Sequence, residues 1–144
     1  MSKKSLLLLI IQFSSFAFFG LSGGLFAKGI LVFLQILGLA LGLWGILAMK
    51  MGNFNIQPEV KHTAVFVSHG PYRILRNPMY SGLILFFGVS VFYNYSILRL
   101  GILLALIIVL LLKIFMEEQF LTKKFGEQYT IYKRRTYRLI PYIY

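Results

Sequence analysis

Residues 97–116 read ILRLGILLALIIVLLLKIFM, and this run decides the fold. At 1.5 Å per residue, twenty helical residues reach about 30 Å, the thickness of a bilayer's hydrocarbon core. Only Arg99 and Lys113 interrupt them. Leu6 to Ala27 and Ile30 to Met49 are similarly long and carry no charge at all. A fourth run, Met79 to Tyr93, is short, which suits a thinned bilayer or a helix sheltered by its neighbours, and Pro78 fits the first turn of a helix, where its missing N–H is no loss. The expectation is an all-α integral membrane protein: one domain over residues 1–144, a four-helix bundle with spans at about 6–27, 30–49, 79–93 and 97–116. Lys3 and Lys4 before the first apolar run imitate a signal peptide, but the run is too long and lacks a small-residue cleavage site, so it is read as a retained span.

Composition agrees. The chain is 58% hydrophobic and 13% charged, far from the mixture of water-soluble domains. Its 15 Lys and Arg face only Glu59, Glu117, Glu118 and Glu127. Lys3, Lys4, Lys50, Lys61, Arg73, Arg76, Lys123, Lys124, Lys133, Arg134, Arg135 and Arg138 fall on one side of the alternating spans; only Lys28 and Arg99 fall on the other. That asymmetry puts both termini and the loop from Lys50 to Asn77 in the cytoplasm. Lys113 is one turn from a helix end and is expected to snorkel to the same face. The basic charge therefore reads as topology and headgroup attraction, not as a nucleic-acid surface. With no cysteine there is no thiolate chemistry, disulfide or prenyl anchor. Gly20, Gly24, Gly38, Gly42 and Gly45 follow the small-residue spacing that lets helices approach closely, and packing within one bundle explains them better than dimerisation.

Two segments hold most of the unusual polarity, both on the expected cytoplasmic side. The first runs from Phe66 to Tyr80, FVSHGPYRILRNPMY. Gly70-Pro71 and Asn77-Pro78 are turn signals, so the piece carrying Tyr72, Arg73 and Arg76 is held between fixed bends. Asn77 is expected to cap the following helix, whose free N–H groups could receive an anionic ligand group. The second is Glu117-Glu118 at the foot of the fourth span, costly if both are buried unpaired. Adjacent positions point about 100° apart on a helix, so one can face the bundle and the other solvent. Headgroup anchoring accounts for Arg73, but poorly for His69, Arg76, Asn77 and Tyr80 crowded between two prolines. Arg, Asn and His donors opposite a carboxylate suit a zwitterionic, partly cationic ligand. Two histidines, His62 and His69, make no convincing metal site, and there is no nucleophile elbow.

The string Gly70-Pro71-Tyr72-Arg73-x-x-Arg76-Asn77-Pro78-Met79-Tyr80-Ser81-Gly82, with Glu117-Glu118, Phe125-Gly126-x-x-Tyr129-x-x-Tyr132 and Arg138-Leu139-Ile140-Pro141, resembles the signature of the isoprenylcysteine carboxyl methyltransferase and phospholipid methyltransferase superfamily. The resemblance runs from about Asn53 to Pro141. It implies a membrane methyltransferase whose half at about 53–141 holds S-adenosylmethionine, with a cytoplasmic cofactor-binding loop, a C-terminal tail, and access from the lipid side for a lipophilic methyl acceptor. Carried over by position, His69, Gly70, Tyr72, Arg76, Asn77, Pro78 and Tyr80 line the cofactor pocket, and Glu117 and Glu118 close it. Arg76 and Glu118 are the residues expected at the reacting centre. Asn77 departs from the histidine common in relatives and cannot take up a proton near neutral pH. In-line methyl transfer from a sulfonium mainly needs alignment and exclusion of water, so it tolerates that change.

Two other classes compete. Some sterol reductases resemble this superfamily in their membrane half, although this chain has no glycine-rich dinucleotide fingerprint. A non-catalytic interaction or transporter subunit would be expected to place ionisable groups near mid-membrane, whereas here they gather at one end of the spans.

Overall fold

The computed structural model describes residues 2–50, 53 and 58–144. The expected cofactor-binding half begins at about 53, so its residues 54–57 lie outside the described ones. Five α-helices follow in order: α1 (Lys3–Leu21), α2 (Leu31–Met49), α3 (Pro78–Tyr93), α4 (Ile97–Phe125) and α5 (Glu127–Arg135), with a 3₁₀ turn at Gly70–Arg73 between α2 and α3. The described residues form no strand. One isolated parallel bridge, Leu75 to Tyr137, ties the segment before α3 to the tail.

Helices α1, α2 and α4 are long and apolar enough to cross a membrane. Their surfaces say the same. The buried positions of α1 are Ser5, Leu8, Gln12, Ser15 and Phe19, and those of α2 are Gln35, Gly38 and Gly45, while Phe33, Leu37, Leu43, Trp44 and Leu47 stand exposed. A chain that turns polar and small residues inward and large apolar ones outward is matched to lipid, where helices associate by close packing and hydrogen bonds.

Two boundaries differ from the sequence reading, and the short third helix matches it. The first helix stops at Leu21, not near Ala27, because Gly23 and Gly24 adopt φ of +72° and +61° and turn the chain out of the helix. The expected last span, to Met116, continues as one helix of 29 residues to Phe125, reaching about 43 Å. The 16 residues of α3 reach only about 24 Å.

Helix α2 packs mainly on α3 and α1 on α4, and α1 and α2 scarcely touch. The α2–α3 contact is a backbone approach: a Cβ on Gly82 would lie 2.4 Å from the Gly38 carbonyl oxygen. Phe16 and Phe19 of α1 meet Phe87 of α3 with ring centroids 5.2 and 4.9 Å apart. At the end away from the polar loop, Arg99 is buried, not a loop cation. It donates to Ser22 Oγ (2.8 Å), Gly23 O (3.0 Å), Gly24 O (3.3 Å) and Ser90 Oγ (2.7 Å), fixing the turn that ends α1. Lys113 is likewise buried: it does not snorkel outward but donates to Gln12 Oε1 at 2.7 Å.

Candidate active site

The loop before α3 is shaped by its own turns. Gly70 takes φ of +59°, and Pro71 opens the 3₁₀ turn, its carbonyl accepting from Ile74 N (3.2 Å) and Leu75 N (3.0 Å). Arg76 N then donates to Tyr137 O and Tyr137 N to Ile74 O, both at 2.8 Å, so loop and tail form one unit. Asn77 occupies the N-cap position of α3 but makes no side-chain cap; its Nδ2 donates to Arg138 O at 3.0 Å. Ser81 Oγ, one turn on, donates to Leu139 O at 2.6 Å.

The two adjacent glutamates point apart, as helix geometry requires. Glu118 faces the tail. Its carboxylate accepts from Arg76 Nε at 2.9 Å and from Arg138 Nε and Nη2 at 3.2 and 2.8 Å, and its side chain is only 6% exposed. Arg76 Nη1 also donates to Lys133 O (3.0 Å) and Thr136 O (2.6 Å). The Glu118 pairing sustains the Arg138 guanidinium's proton, holding its pKa above the ordinary arginine value. Glu117 faces inward, accepting a hydrogen bond from Tyr80 Oη at 2.6 Å.

Between these groups lies an open cleft. Tyr72, Arg76, Asn77, Tyr80 and Glu117 form its polar side. Phe66, Phe125, Tyr129 and Tyr132 line it too, Phe66 meeting Phe125 and Tyr132 at 5.4 and 5.2 Å between centroids. The segment 58–67 lines part of it and is tied to α1 and to α4. Glu59 accepts from Ser2 N (3.1 Å) and Ser5 Oγ at the start of α1, and Lys124 Nζ donates to Lys61 O (2.7 Å) and His62 O (2.6 Å). Burial pushes Tyr72, Tyr129 and Tyr132 well above the usual phenol range, so all three stay neutral. Tyr132 Oη donates to Tyr72 O at 2.7 Å. Tyr72 Oη is buried with no hydrogen-bond partner among the described residues.

Of the residues singled out from the sequence, Tyr72, Arg76, Asn77, Tyr80 and Glu117 come together around this cavity. His69, Gly70, Pro78 and Glu118 are not among its walls. Gly70 and Pro78 are placed against α2, where a Cβ on Gly70 would be 3.2 Å from Ala48 and one on Gly45 would be 3.1 Å from Pro78. Sequence reasoning missed Phe66, Leu121 and the segment 58–67, and named Tyr129 and Tyr132 as part of the resemblance, not as walls of the pocket. The aromatic string Phe125-Gly126-x-x-Tyr129-x-x-Tyr132, which spans the end of α4 and the start of α5, was the available signal.

A second cavity is lined by α1, α2 and α3, with Lys113 of α4. It is almost wholly apolar, and it shares only Met79 and Tyr80 with the first.

Residues 19–128, about three quarters of the chain, match the family model described as phospholipid methyltransferase. No curated protein shows a match to the chain. The matched span takes in the α2–α3 contact, the Gly70–Tyr80 loop and both glutamates of α4, so the resemblance read from the loop and the geometry of the cavity concern the same residues. The chain belongs to the phospholipid methyltransferase family, within the superfamily of membrane methyltransferases that also holds the isoprenylcysteine carboxyl methyltransferases.

Proposed function

We propose that the protein binds S-adenosylmethionine in the loop-and-tail cavity and transfers its methyl group to a lipophilic acceptor. The observation that carries this reading is an open cavity holding a buried Tyr72 hydroxyl, without a partner among the described residues, and the Glu117 carboxylate beside Arg76 and Asn77. Those groups fit the cofactor: an aromatic wall for a nucleobase, a carboxylate for a cationic centre, and a guanidinium and an amide for a carboxylate. When bound, the cofactor supplies an electrophilic methyl, whose bond to sulfur breaks as the bond to the acceptor forms.

The chain's own residues orient and desolvate. Glu117, held at a fixed angle by Tyr80, compensates positive charge on the cofactor side. Arg76 is immobilised through Nε and Nη1 and presents a fixed cation to the cavity, something lysine would not reproduce. Tyr72 donates its O–H to the cofactor. Asn77, bonded to the tail, keeps its carbonyl oxygen for a donor. His69, Gly70, Pro78 and Glu118 act by positioning: the first three seat the loop, and Glu118 holds Arg76 and closes the tail over the site. The acceptor approaches from the second, apolar cavity. In this reading α1–α4 are four spans of one bundle, and the cation distribution puts both termini and the site on the cytoplasmic side.

Calorimetry of S-adenosylmethionine against the detergent-purified protein tests the reading. Saturable binding is expected. Losing one hydrogen bond in Tyr72→Phe is expected to weaken it about threefold to tenfold, and losing a charge contact in Glu117→Gln about tenfold or more. Absence of binding to folded wild type would overturn it.

A further inference from the structure

A third groove lies between the loop before α3 and α5, and Phe66 and Tyr132 line both it and the cofactor cleft. Arg73, which ends the 3₁₀ turn, and Arg135, which ends α5, line the groove from its two walls. Both side chains are exposed. No carboxylate is among the lining residues, and neither guanidinium has a hydrogen bond or ion pair among the described residues. The dipole of α5 favours a cation in its last turn and accounts for Arg135, but Arg73 belongs to a different segment. Two like charges set into one groove repel each other, and an anion between them turns that cost into attraction. The geometry points to this groove as a binding site for a phosphate group that Arg73 and Arg135 hold together.

The donor set selects that ligand. A guanidinium grips an oxyanion through two parallel N–H groups. One such fork uses both oxygens of a carboxylate, whereas a phosphate has oxygens for two forks at once. Ser68 and Gln128 add one uncharged donor on each wall, and neither side chain has a hydrogen bond among the described residues. The backbones that carry the arginines are already joined: Tyr132 Oη donates to Tyr72 O at 2.7 Å, and Tyr137 N to Ile74 O at 2.8 Å. Binding therefore orders two side chains on a fixed frame and does not have to assemble the walls. A phosphate held there clasps the loop to α5 beside the wall shared with the cofactor cleft. Lipid headgroups and soluble anions offer the same phosphate chemistry, and the experiment separates the two sources.

Arginine footprinting with phenylglyoxal, read by peptide mass spectrometry on the full chain in a maltoside detergent free of phosphate, tests the site. Arg134, exposed on α5 but outside the groove, is the internal control. One arm adds inorganic phosphate against chloride at equal ionic strength; the other adds phosphatidylglycerol to the micelles against diacylglycerol. In at least one arm Arg73 and Arg135 are expected to react about threefold to fivefold more slowly, the scale of a solvent-exposed charge contact, with Arg134 changed by less than about 1.5-fold. Protection by inorganic phosphate assigns a soluble anion, and protection by the lipid alone assigns a headgroup; either supports the site. Arg135→Gln is expected to abolish the protection of Arg73, and Arg135→Lys to restore part of it. Both arginines are exposed, so these variants keep the fold. Protection in neither arm, equal protection of Arg134, or protection of Arg73 that survives Arg135→Gln would overturn the inference. The footprint is taken without S-adenosylmethionine, so its failure and failure of the cofactor reading are separate results.

Discussion

Replacing Glu118 by Gln removes the one charge that joins loop, α4 and tail. Its carboxylate is met by Arg76 at 2.9 Å and by Arg138 at 2.8 Å, with side-chain exposures of 6% for Glu118, 9% for Arg76 and 28% for Arg138. Breaking a buried ion pair from one side costs about 3–5 kcal/mol. Glutamine keeps the shape and one carbonyl acceptor, and Arg138 is partly solvated, which reduces the loss to about 2–3 kcal/mol. The loss is local, because the main helix contacts, α2 on α3 and α1 on α4, do not run through the tail. The open population of the tail should therefore rise roughly 30- to 150-fold. Hydrogen exchange at the amides of Arg76 and Tyr137, which bond across the loop–tail junction, reads this directly. Exchange in the middle of α4 should not change. A cycle with Arg138→Gln is expected to show a coupling of about 1–2 kcal/mol. If junction protection in Glu118→Gln stayed within about twofold of wild type, the ion cluster would not be what holds the tail, and the positioning role given to Glu118 would be wrong.

Three further outcomes follow from particular contacts. Gly82→Ala forces a Cβ to 2.4 Å from the Gly38 carbonyl; a stability loss of about 2 kcal/mol or more in detergent unfolding is expected, and a neutral result would refute the close α2–α3 approach. Arg99→Met removes four hydrogen bonds to Ser22, Gly23, Gly24 and Ser90, and should loosen the turn after α1, seen as faster exchange near Gly23 with the opposite end unchanged. Burial raises the phenol pKa of Tyr129 and Tyr132 in the folded protein. Their contribution is therefore complete below the unfolded value near 10 and falls as pH rises beyond it. Proteolysis of the tail should accelerate above about pH 10, and a tail equally resistant at pH 8 and pH 11 would contradict this.

The apolar runs located α2, α3 and α4 in the sequence because a bilayer imposes a length and a composition that few soluble segments satisfy. They did not locate the end of α1, which depends on two consecutive glycines adopting positive φ, nor the extension of α4, where Glu117 to Phe125 is helical without being apolar. The cluster of Arg76, Asn77 and Tyr80 between two prolines was legible as a site. Which glutamate faced it was not, because that depends on the rotation of α4 against α3. For the same reason the sequence suggested that Lys113 reaches outward, whereas the α1–α4 packing turns it onto Gln12. Asn77 has a good capping identity, yet the tail claims its side chain, and a contact between residues 61 positions apart leaves no local trace.

The central claim is that this chain moves a methyl group from S-adenosylmethionine to a lipophilic molecule. Incubating the purified protein in vesicles of total membrane lipid with S-adenosylmethionine labelled in its methyl group, and counting the label in the organic extract, tests it most directly. Time-dependent labelling of extractable lipid, lost in Glu117→Gln, is the expected result. An extract that stays unlabelled, with protein shown to be folded and to bind the cofactor, would contradict it.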